Sequence, residues 1–550
     1  MRIDSRPESA ILRTGKTRQM NHFKVTFEPD GKQISIHSGA TLIEAAGQAG
    51  IILNSVCGGT GTCRKCLVKL QPEGREVLAC QHQVESDLAV TIPLESRFFE
   101  QKILKHGIAA QIEVRPDVYR KHRAGDAKKK VLGIAVDVGT TTVVAKLLDM
   151  KDGLVLATAA VLNPQTQFGD DVISRIAYGR SDPNLAELNR TIIDCINDLT
   201  AQLCSTPGVA AADIYEMCVV GNTTMNHIFL KLPIAQLGHA PYGAYSLDAH
   251  DVPPEQLGLL MNPAGNVHTV ENIAGFVGAD TVAVALAVDI ASAEQMTLAI
   301  DIGTNGEVVL GTKEKLYAAS CAAGPAFEGA RITSGGRAAD GAIQGVVAGR
   351  DDIDLDVIGI YPARSICGSG LIDAVAVLLD LGIIDATGRF VQKDKLADKL
   401  PPAILSRIIE IEGRPAFTLA EGRAEAGGQK VFLTQRDIRE TQLAKAAIRA
   451  GIKLLQKKVG VQDGDIACVY LAGAFGNYIK PANAVRIGLL PDVPLDRVHS
   501  VGNAACVGAQ MALISEDCRK AAGDLAQKIE YIEIANEPDF QDVFADSMLF

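Results

Sequence analysis

Apolar and polar positions alternate through the first part of the chain with the period of a β-strand. The alternation runs over 22–28 and again over 33–37, and a Pro-Asp-Gly-Lys turn separates the two stretches. A period of two bounded by turn residues predicts a β-hairpin. Thr41 can then cap a short helix. Two further apolar stretches, 66–70 and about 88–92, predict additional strands.

A different pattern begins at 131, where an apolar run, a small polar turn and a second apolar run follow one another. The turn consists of Asp137 followed by Val-Gly-Thr-Thr-Thr. A near copy lies at 296–310, where Asp301 is followed by Ile-Gly-Thr-Asn-Gly. Continuous apolar runs predict buried strands. Their repetition around similar turns predicts a duplicated domain with two facing lobes.

These patterns divide the chain into segments. Residues 119–130 are highly charged and lack apolar periodicity, which predicts a solvated linker; the alternative is an arm that lets the first unit move. The N-terminal segment is basic and polar, lacks the apolar stretch of a signal peptide, and is expected to be disordered. The expected segments are a tail over 1–20, a first domain over 21–95, a linker over 96–130, a first lobe over 131–295 and a second lobe over 296–550.

The composition is that of an ordinary globular protein, with 47% hydrophobic and 22% charged residues. A net charge of −11 gives no electrostatic reason for binding nucleic acid or a membrane surface, and the absence of Trp argues against base-stacking platforms. We find no uncharged apolar run of about 18 residues, so no transmembrane helix is expected. We expect a cytoplasmic protein, because most of its 12 cysteines are scattered in apolar contexts as buried thiols.

Four cysteines differ from the rest in their spacing. Cys57, Cys63, Cys66 and Cys80 follow the pattern C-x5-C-x2-C-x13-C on a glycine-rich loop. Four converging thiolates can hold a zinc ion or an iron–sulfur cluster. Zinc ribbons usually have two C-x2-C pairs, and only one is present here. The glycines let the backbone wrap around inorganic sulfide, which favours a [2Fe–2S] cluster over zinc and over unrelated structural cysteines.

The two Asp-x-Gly-Thr turns have the composition of a phosphate-binding site. Glycine lets the backbone approach closely, N–H groups and threonine hydroxyls donate to phosphate oxygens, and an aspartate can orient Mg²⁺ or its waters. Three further loops with small residues, at 219–227, 469–477 and 502–513, agree with a cleft of this kind. Either of two glycine turns, 323–329 and 367–373, could line the cleft or simply start a helix.

Three histidines in the first lobe raise the question of a second metal site. His227, His239 and His268 share no ligand spacing. We therefore expect them to have structural or surface roles.

The first domain resembles the plant- and adrenodoxin-type [2Fe–2S] ferredoxins, which have a β-grasp fold, although the gap before Cys80 is shorter here. From 131 onward, the five loops occur in the order of the motifs of the acetate-kinase, sugar-kinase, Hsp70 and actin superfamily. Ferredoxin, linker and ATPase in this order resemble the reductive activators of corrinoid proteins. The resemblance implies a multidomain α+β and α/β protein, with a β-grasp domain followed by a duplicated, two-lobed, actin-like (RNase H-like) ATPase.

The same resemblance implies the function. An enzyme of this family spends ATP to pass an electron from its [2Fe–2S] cluster to the Co(II) of a corrinoid protein, which restores Co(I) for methyl transfer. It implies that the four spaced cysteines hold the cluster and that Asp137 or Asp301 positions Mg²⁺ and the attacking water. The other residues implied at the nucleotide are Gly139, Thr140, Thr141, Thr142, Asn222, Thr223, Gly303, Thr304, Asn305, Gly306, Glu307, Gly473, Ala474, Phe475 and Gly476.

Other functions remain open on the sequence alone. The ATPase lobes also resemble activators of radical dehydratases and aromatic-ring reductases, which would make the electron acceptor another low-potential metalloenzyme. A redox sensor would use the cluster to control nucleotide-dependent docking, and a kinase would phosphorylate a small molecule. The expected partners are a corrinoid protein of a methyltransferase system and an unidentified electron donor. The sequence leaves open whether two copies form a homodimer.

Overall fold

The computed structural model describes most of the chain as a succession of strands and helices. The described residues are 18–19, 21–29, 31–49, 51, 53, 61, 66–93, 96, 113–123, 129–359, 361–422, 430–473 and 479–550. The strands are β1 Arg18–Gln19, β2 His22–Glu28, β3 Lys32–His37, β4 Leu67–Gln71, β5 Arg75–Leu78, β6 Leu88–Thr91, β7 Leu132–Val138, β8 Thr142–Asp149, β9 Val155–Leu162, β10 Ile214–Gly221, β11 His250–Val252, β12 Asn266–Thr269, β13 Thr297–Ile302, β14 Gly306–Gly311, β15 Leu316–Cys321, β16 Ala342–Ala348, β17 Ile353–Val357, β18 Ser365–Ile366, β19 Ile408–Ile411, β20 Arg414–Ala420, β21 Val431–Thr434, β22 Cys468–Ala472, β23 Val498–Gly502 and β24 Ile529–Tyr531.

The helices fall mainly in the two lobes. They are α1 Leu42–Gln48, α2 Asp117–Arg123, α3 Val172–Tyr178, α4 Asp182–Leu203, α5 Thr223–Phe229, α6 Pro254–Leu257, α7 Ala279–Ala287, α8 Gly368–Asp380, α9 Pro402–Arg407, α10 Gln435–Val459, α11 Pro481–Arg486, α12 Ala504–Ile514, α13 Glu516–Lys528 and α14 Phe540–Ser547. No helix in the described ranges combines the length and the apolarity that a membrane span needs.

The N-terminal domain is a five-stranded sheet with one helix, as the alternation predicted. The strand order is β3-β2-β6-β4-β5, with β2 and β3 antiparallel and β2 and β6 parallel. Thr41 caps α1 through a capping box with Glu44, a device that contributes about 1 kcal/mol. The inward-facing side chains of β2, Val25 and Phe27, are fully buried beside Leu42 of the helix. This arrangement confirms the predicted β-grasp fold.

The two lobes share a topology of five strands, which confirms the predicted duplication, and each adds a sixth strand at the opposite edge of its sheet. The first sheet has the order β11-β12-β10-β7-β8-β9 and the second has the order β23-β22-β13-β14-β15-β24. In the first, β7 pairs antiparallel with β8 and parallel with β10. In the second, β13 pairs in the same two ways with β14 and β22. Each Asp-x-Gly-Thr turn therefore connects two antiparallel strands at the centre of its sheet.

Two helices pack tightly at the junction of the lobes. Residues of α7 and α12 belong to one apolar core that also includes side chains from both large sheets. A Cβ atom at Gly508 of α12 would lie 2.1 Å from the carbonyl oxygen of Ala283 in α7. A glycine is therefore required at this position, and the small residues that follow the loop at 502–503 serve close helix packing.

Two segments expected to lack structure contain ordered elements. In the expected linker, α2 buries Val118, its Arg120 pairs with Glu516 of α13 at 2.9 Å, and the Arg115 N–H donates to the Ile514 carbonyl. This part of the linker therefore packs against both lobes, with His122 beside Tyr215 of the first lobe, although the charged side chains that the structure describes there remain exposed. In the expected tail, β1 pairs with β17 of the second lobe.

Candidate functional site

The two turns with aspartates face each other across a cavity of about 330 Å³ between the lobes. The cavity is lined by twelve of the residues expected there from the sequence, namely Asp137, Gly139, Thr140, Thr141, Thr142, Asn222, Asp301, Gly303, Thr304, Asn305, Glu307 and Gly473. Thr223 instead donates its hydroxyl to the Ala274 carbonyl in the core, and Gly306 packs against Ile448. Three expected residues, Ala474, Phe475 and Gly476, lie outside the described residues.

Backbone hydrogen bonds give both turns a tight shape. The Gly139 N–H donates to the Thr142 carbonyl at 3.0 Å, and the Gly303 N–H donates to the Asn305 carbonyl at 3.0 Å. A Cβ atom at Gly139 would lie 2.6 Å from the Thr142 carbonyl oxygen, so only glycine fits there. These turns direct small hydroxyl side chains into the cavity, as a phosphate site requires.

A glutamate of the glycine turn at 323–329, which was one of the two turns expected either to line the cleft or to start a helix, joins the two Asp-x-Gly-Thr turns. Glu328 lies in the short 3₁₀ helix Pro325–Glu328 and accepts hydrogen bonds from the hydroxyls of Thr141 and Thr304, each at 2.6 Å. The two hydroxyl oxygens are themselves 3.0 Å apart. The carboxylate thus contacts both lobes at the hydroxyls expected to donate to phosphate oxygens.

Besides Glu328, four carboxyl groups line the cavity, and all four have raised pKa values. Burial is the main cause for each, and it raises the pKa of Asp301 to about 8, with Asp280 and Asp137 adding repulsion. Burial raises the pKa of Asp137 to about 7 although Asn503 donates to its carboxylate at 2.8 Å, and it raises the pKa of Asp280 to about 6. The pKa of Glu307 also rises well above its usual value.

This cluster of acids can receive a cation but does not enclose one. In the described part of the chain, no group of three or more His, Cys, Asp or Glu side chains has the geometry of a metal site. Mg²⁺ commonly binds through one or two carboxylates, several waters and substrate phosphates. The carboxyl groups are therefore suited to a cation that arrives with a phosphate ligand.

The raised pKa of Asp301 predicts a pH-dependent stability of the protein free of nucleotide and divalent cations. Since its folded pKa is raised from 3.8 to about 8, the folded state keeps a proton that the unfolded chain loses, and stability falls as pH rises through this window. Replacing Asp301 by Asn should remove this contribution, by at most about 1.4 kcal/mol per pH unit. In urea unfolding between pH 5 and pH 8, the free energy of unfolding of Asp301→Asn should increase relative to that of the wild type as pH rises.

The control for this measurement is Asp152→Asn, which changes an exposed carboxyl on the turn after β8. The difference in the free energy of unfolding between this variant and the wild type should not vary with pH. A pH-independent difference for Asp301→Asn would contradict the predicted proton uptake.

Two of the four spaced cysteines are described, and their thiols converge. Cys66 directly precedes β4, Cys80 follows β5, and their Sγ atoms are 3.3 Å apart in a buried position. Cys57 and Cys63 lie outside the described residues. Gly61 of the loop between them has a φ of +80°, a conformation that favours glycine. A buried pair of thiols beside a glycine loop fits the donor set of an iron–sulfur cluster.

The remaining cysteines and histidines behave as structural groups where they are described. Burial raises the pKa values of Cys195, Cys506 and Cys518 to about 11, which leaves them as unreactive thiols. The buried ring of His227 lies 2.7 Å from the Thr223 carbonyl, and that of His268 lies 3.0 Å from Asp251. These contacts agree with the expected structural roles of the two histidines.

Three successive parts of the chain match three protein families. Residues 23–93 match the family described as a 2Fe-2S iron-sulfur cluster binding domain. Residues 132–293 match the family described as the RACo middle region. Residues 295–550 match the C-terminal domain of RACo, described as the ASKHA domain.

Curated relatives align over most of the chain. The corrinoid activation enzyme RamQ of Eubacterium limosum is 32% identical over 96% of this chain and 99% of its own length. The [Co(II) methylated amine-specific corrinoid protein] reductase of Methanosarcina barkeri is 24% identical over 75% of this chain and 76% of its own.

A solved structure extends the similarity to the fold. The chain superimposes on a protein described as a reductive activator for corrinoid,iron-sulfur protein with a TM-score of 0.71 and 32% sequence identity. The superposition covers 96% of this chain and 98% of the other. The similarity therefore includes the ferredoxin-like domain, both lobes and their connection.

Proposed function

The chain belongs to the family of reductive activators of corrinoid proteins, and we propose that it uses ATP to return a Co(II) corrinoid protein to Co(I). The observation that carries the proposal is the joining of a ferredoxin domain and a two-lobed ATPase in one chain that aligns with such activators over nearly its full length. The acceptor is a corrinoid protein of a methyltransferase system, and a separate donor reduces the ferredoxin domain.

The ferredoxin domain would hold the [2Fe–2S] cluster through Cys57, Cys63, Cys66 and Cys80. When bound, the cluster supplies a store for one electron. The contribution of the chain is to bring Cys66 and Cys80 together in the buried loop region beside β4 and to keep water away from them. Exclusion of water and hydrogen bonds to sulfur both tune the potential of such a site.

The cleft between the lobes would hold ATP. Its phosphates would lie between the turns at 137–142 and 301–305, with hydroxyls of both lobes as donors, and its adenosine would lie near Gly473 and the residues that follow. Asp301 and Asp137 would orient Mg²⁺ and the attacking water. Binding of Mg²⁺ with phosphates would also favour the ionised form of these carboxyls over the protonated one.

Nucleotide binding would alter the contacts that now join the lobes. The Thr141 and Thr304 hydroxyls donate to Glu328, and phosphate oxygens would compete for the same donors. ATP can shift the balance between two lobe arrangements only by its differential affinity for them. We propose that this shift changes the grip of the protein on the corrinoid partner.

The energetic role of ATP follows from the reduction potentials. Plant-type clusters have potentials near −400 mV. An acceptor about 100 mV lower disfavours transfer of one electron by about 2.3 kcal/mol. At 59 mV per factor of ten, this gap lowers the Co(I) to Co(II) ratio about 50-fold. An ATP-driven change at the acceptor can offset a gap of this size, whereas the cluster alone cannot.

The test is anaerobic Co(I) formation by the full chain with a strong reductant, Mg-ATP and a Co(II) corrinoid protein. Omitting ATP should lower the yield of Co(I), followed by its absorbance band, by at least about tenfold for a gap near 100 mV. Omitting the protein sets the background. Equal yields with and without ATP would contradict the proposal.

The same assay separates the alternative functions. A redox sensor would change its binding to the partner without catalytic electron turnover. A small-molecule kinase would transfer phosphate to an added substrate and leave cobalt unchanged. An activator of another metalloenzyme would hydrolyse ATP and oxidise its cluster only in the presence of that acceptor.

We further propose that the protein is a homodimer that pairs the β9 strands of two copies. Strand β9 is the edge of the first sheet in the described residues, contains no charged residue, and exposes Val155, Leu156, Val161 and Leu162 by 36–41%. A long apolar edge of this kind can template pairing with a second chain. Val161→Lys should convert the dimer to a monomer, as measured by light scattering. Thr158→Lys, which places a charge at an already polar exposed position, should weaken the dimer less.

A further inference from the structure

The ferredoxin domain contacts the second lobe at one edge of a small sheet. This sheet has the order β1-β17-β16-β18, so its outer strand comes from the N-terminal segment. The two residues of β1 pair in parallel with β17, Arg18 opposite Asp354 and Gln19 opposite Leu355. Since β2 begins only three residues later, this pairing places the start of the ferredoxin domain beside β17.

A buried carboxylate lies at the centre of this contact. The side chain of Asp356 in β17 is 6% exposed, and its Oδ1 atom lies 2.9 Å from Nε2 of His22. Its Oδ2 atom accepts from Nε2 of Gln344 at 3.1 Å and lies 3.9 Å from Nε2 of His37. Two of these three neighbours therefore belong to the ferredoxin domain.

The ferredoxin hairpin is built to present both histidines together. His22 begins β2, His37 ends β3, and the two residues are directly opposite each other in the antiparallel register. Their side chains are each 16% exposed. Cross-strand partners of this kind have adjacent Cβ atoms, so one end of the hairpin carries a pair of rings that can face one carboxylate.

The lobe side of the contact is held in place by the helix behind it. Gln344, which donates to Asp356, accepts at its own carbonyl from the Ser369 hydroxyl of α8 at 2.9 Å. Further along the same helix, Asp373 accepts from the Val346 N–H of β16 and from Lys480 at 2.8 Å. Asp356 is thus positioned by a hydrogen-bonded frame rather than by a flexible loop.

Burial of a carboxylate is costly unless polar partners compensate for lost water. At Asp356, much of that compensation comes from the ferredoxin domain. The contact therefore combines strand pairing with a shared buried carboxylate, whereas exposed ion pairs alone contribute little.

We propose that the edge of β17 around Asp356 is a docking site for the ferredoxin domain of the same chain. Strand pairing by β1 sets the register, and the histidine pair at the end of the hairpin recognises Asp356. The site concerns contacts within the chain and does not depend on the electron acceptor or on ATP hydrolysis.

Engineered disulfides in the full chain test the docked position. Arg18→Cys with Asp354→Cys places two thiols on residues that are opposite each other on adjacent strands, within reach of a disulfide. The control pair is Arg18→Cys with Asp351→Cys, an exposed position in the turn before β17 that is not paired with β1. Under mild anaerobic oxidation, the first pair should form its disulfide at least about tenfold faster, followed by peptide mass spectrometry.

Two variants added to the first pair test recognition of Asp356 from opposite sides. Asp356→Asn and His22→Ala should each slow disulfide formation by at least about threefold, as expected for losing a hydrogen bond to a charged group. Lys24→Ala, an exposed residue on the same face of β2, should leave the rate unchanged. Equal rates for the two cysteine pairs, or no effect of both Asp356→Asn and His22→Ala, would overturn the proposal.

Discussion

Replacing Asp301 by alanine or asparagine is expected to lower kcat for ATP hydrolysis by on the order of 10²-fold or more. Asp301 is the next-to-last residue of β13, lies beside the turn at 303–305 and lines the cleft. A charge preorganised at the reacting phosphate stabilises the transition state because it needs no reorganisation, and its removal typically costs this much. Phosphate release at saturating Mg-ATP measures the effect.

The comparison with Asp137→Asn bears on which aspartate acts on the attacking water. A variant that lowers kcat with little change in KM has lost an interaction that is made only in the transition state. A variant that raises KM with unchanged kcat has lost an interaction that binds the ground state and the transition state equally. Asp152→Asn, on an exposed turn, is the matched control and should hydrolyse ATP like the wild type. Wild-type hydrolysis by Asp301→Asn would place the catalytic site elsewhere.

Much of the cleft could be predicted because its turns are local in sequence. Each aspartate directly follows a continuous apolar run, and glycine and threonine follow it within a few residues. A buried strand, a tight turn and hydroxyl side chains are all specified by neighbours along the chain. The pairing of the two turns across one cleft could be inferred only from their repetition.

The contacts of other cleft residues could not be predicted because distant elements bring them together, although the loops at 323–329 and 502–513 were candidates for the cleft. Glu328 contacts Thr141 across 187 residues, and Asn503 reaches Asp137 across 366. Asp280 lies in the first turn of α7, which the sequence presents as an ordinary apolar helix. The only local signal for Glu328 was its glycine turn, which was equally typical of a helix start.

The linker shows a different limit of predictions that rest on the periodicity of apolar residues. Helix α2 is only seven residues long, and five of its residues are charged or histidine. It packs through Val118, through the partly buried Tyr119 and through the ion pair between Arg120 and Glu516. A helix of two turns cannot display a repeating apolar face, so its packing is determined by the surfaces of both lobes, including Tyr215 beside His122, and not by its own sequence.

Replacing Cys66 by alanine is expected to abolish Co(I) formation. ATP hydrolysis should stay within about twofold of the wild type, because the ferredoxin domain and the lobes have separate cores. Alanine offers no ligand, and the thiol of Cys80, 3.3 Å away, would lose its neighbour at the metal. The control is Cys195→Ala, which removes a buried thiol from α4 in the first lobe and should keep both activities. Iron and sulfide analysis, absorbance and Co(I) yield measure the outcome.

Two outcomes would contradict this prediction. A Cys66→Ala protein that retained two irons and two sulfides per chain would exclude this thiol as a ligand. A Cys66→Ala protein that lost the cluster yet still produced Co(I) would exclude the ferredoxin domain as the route of the electron.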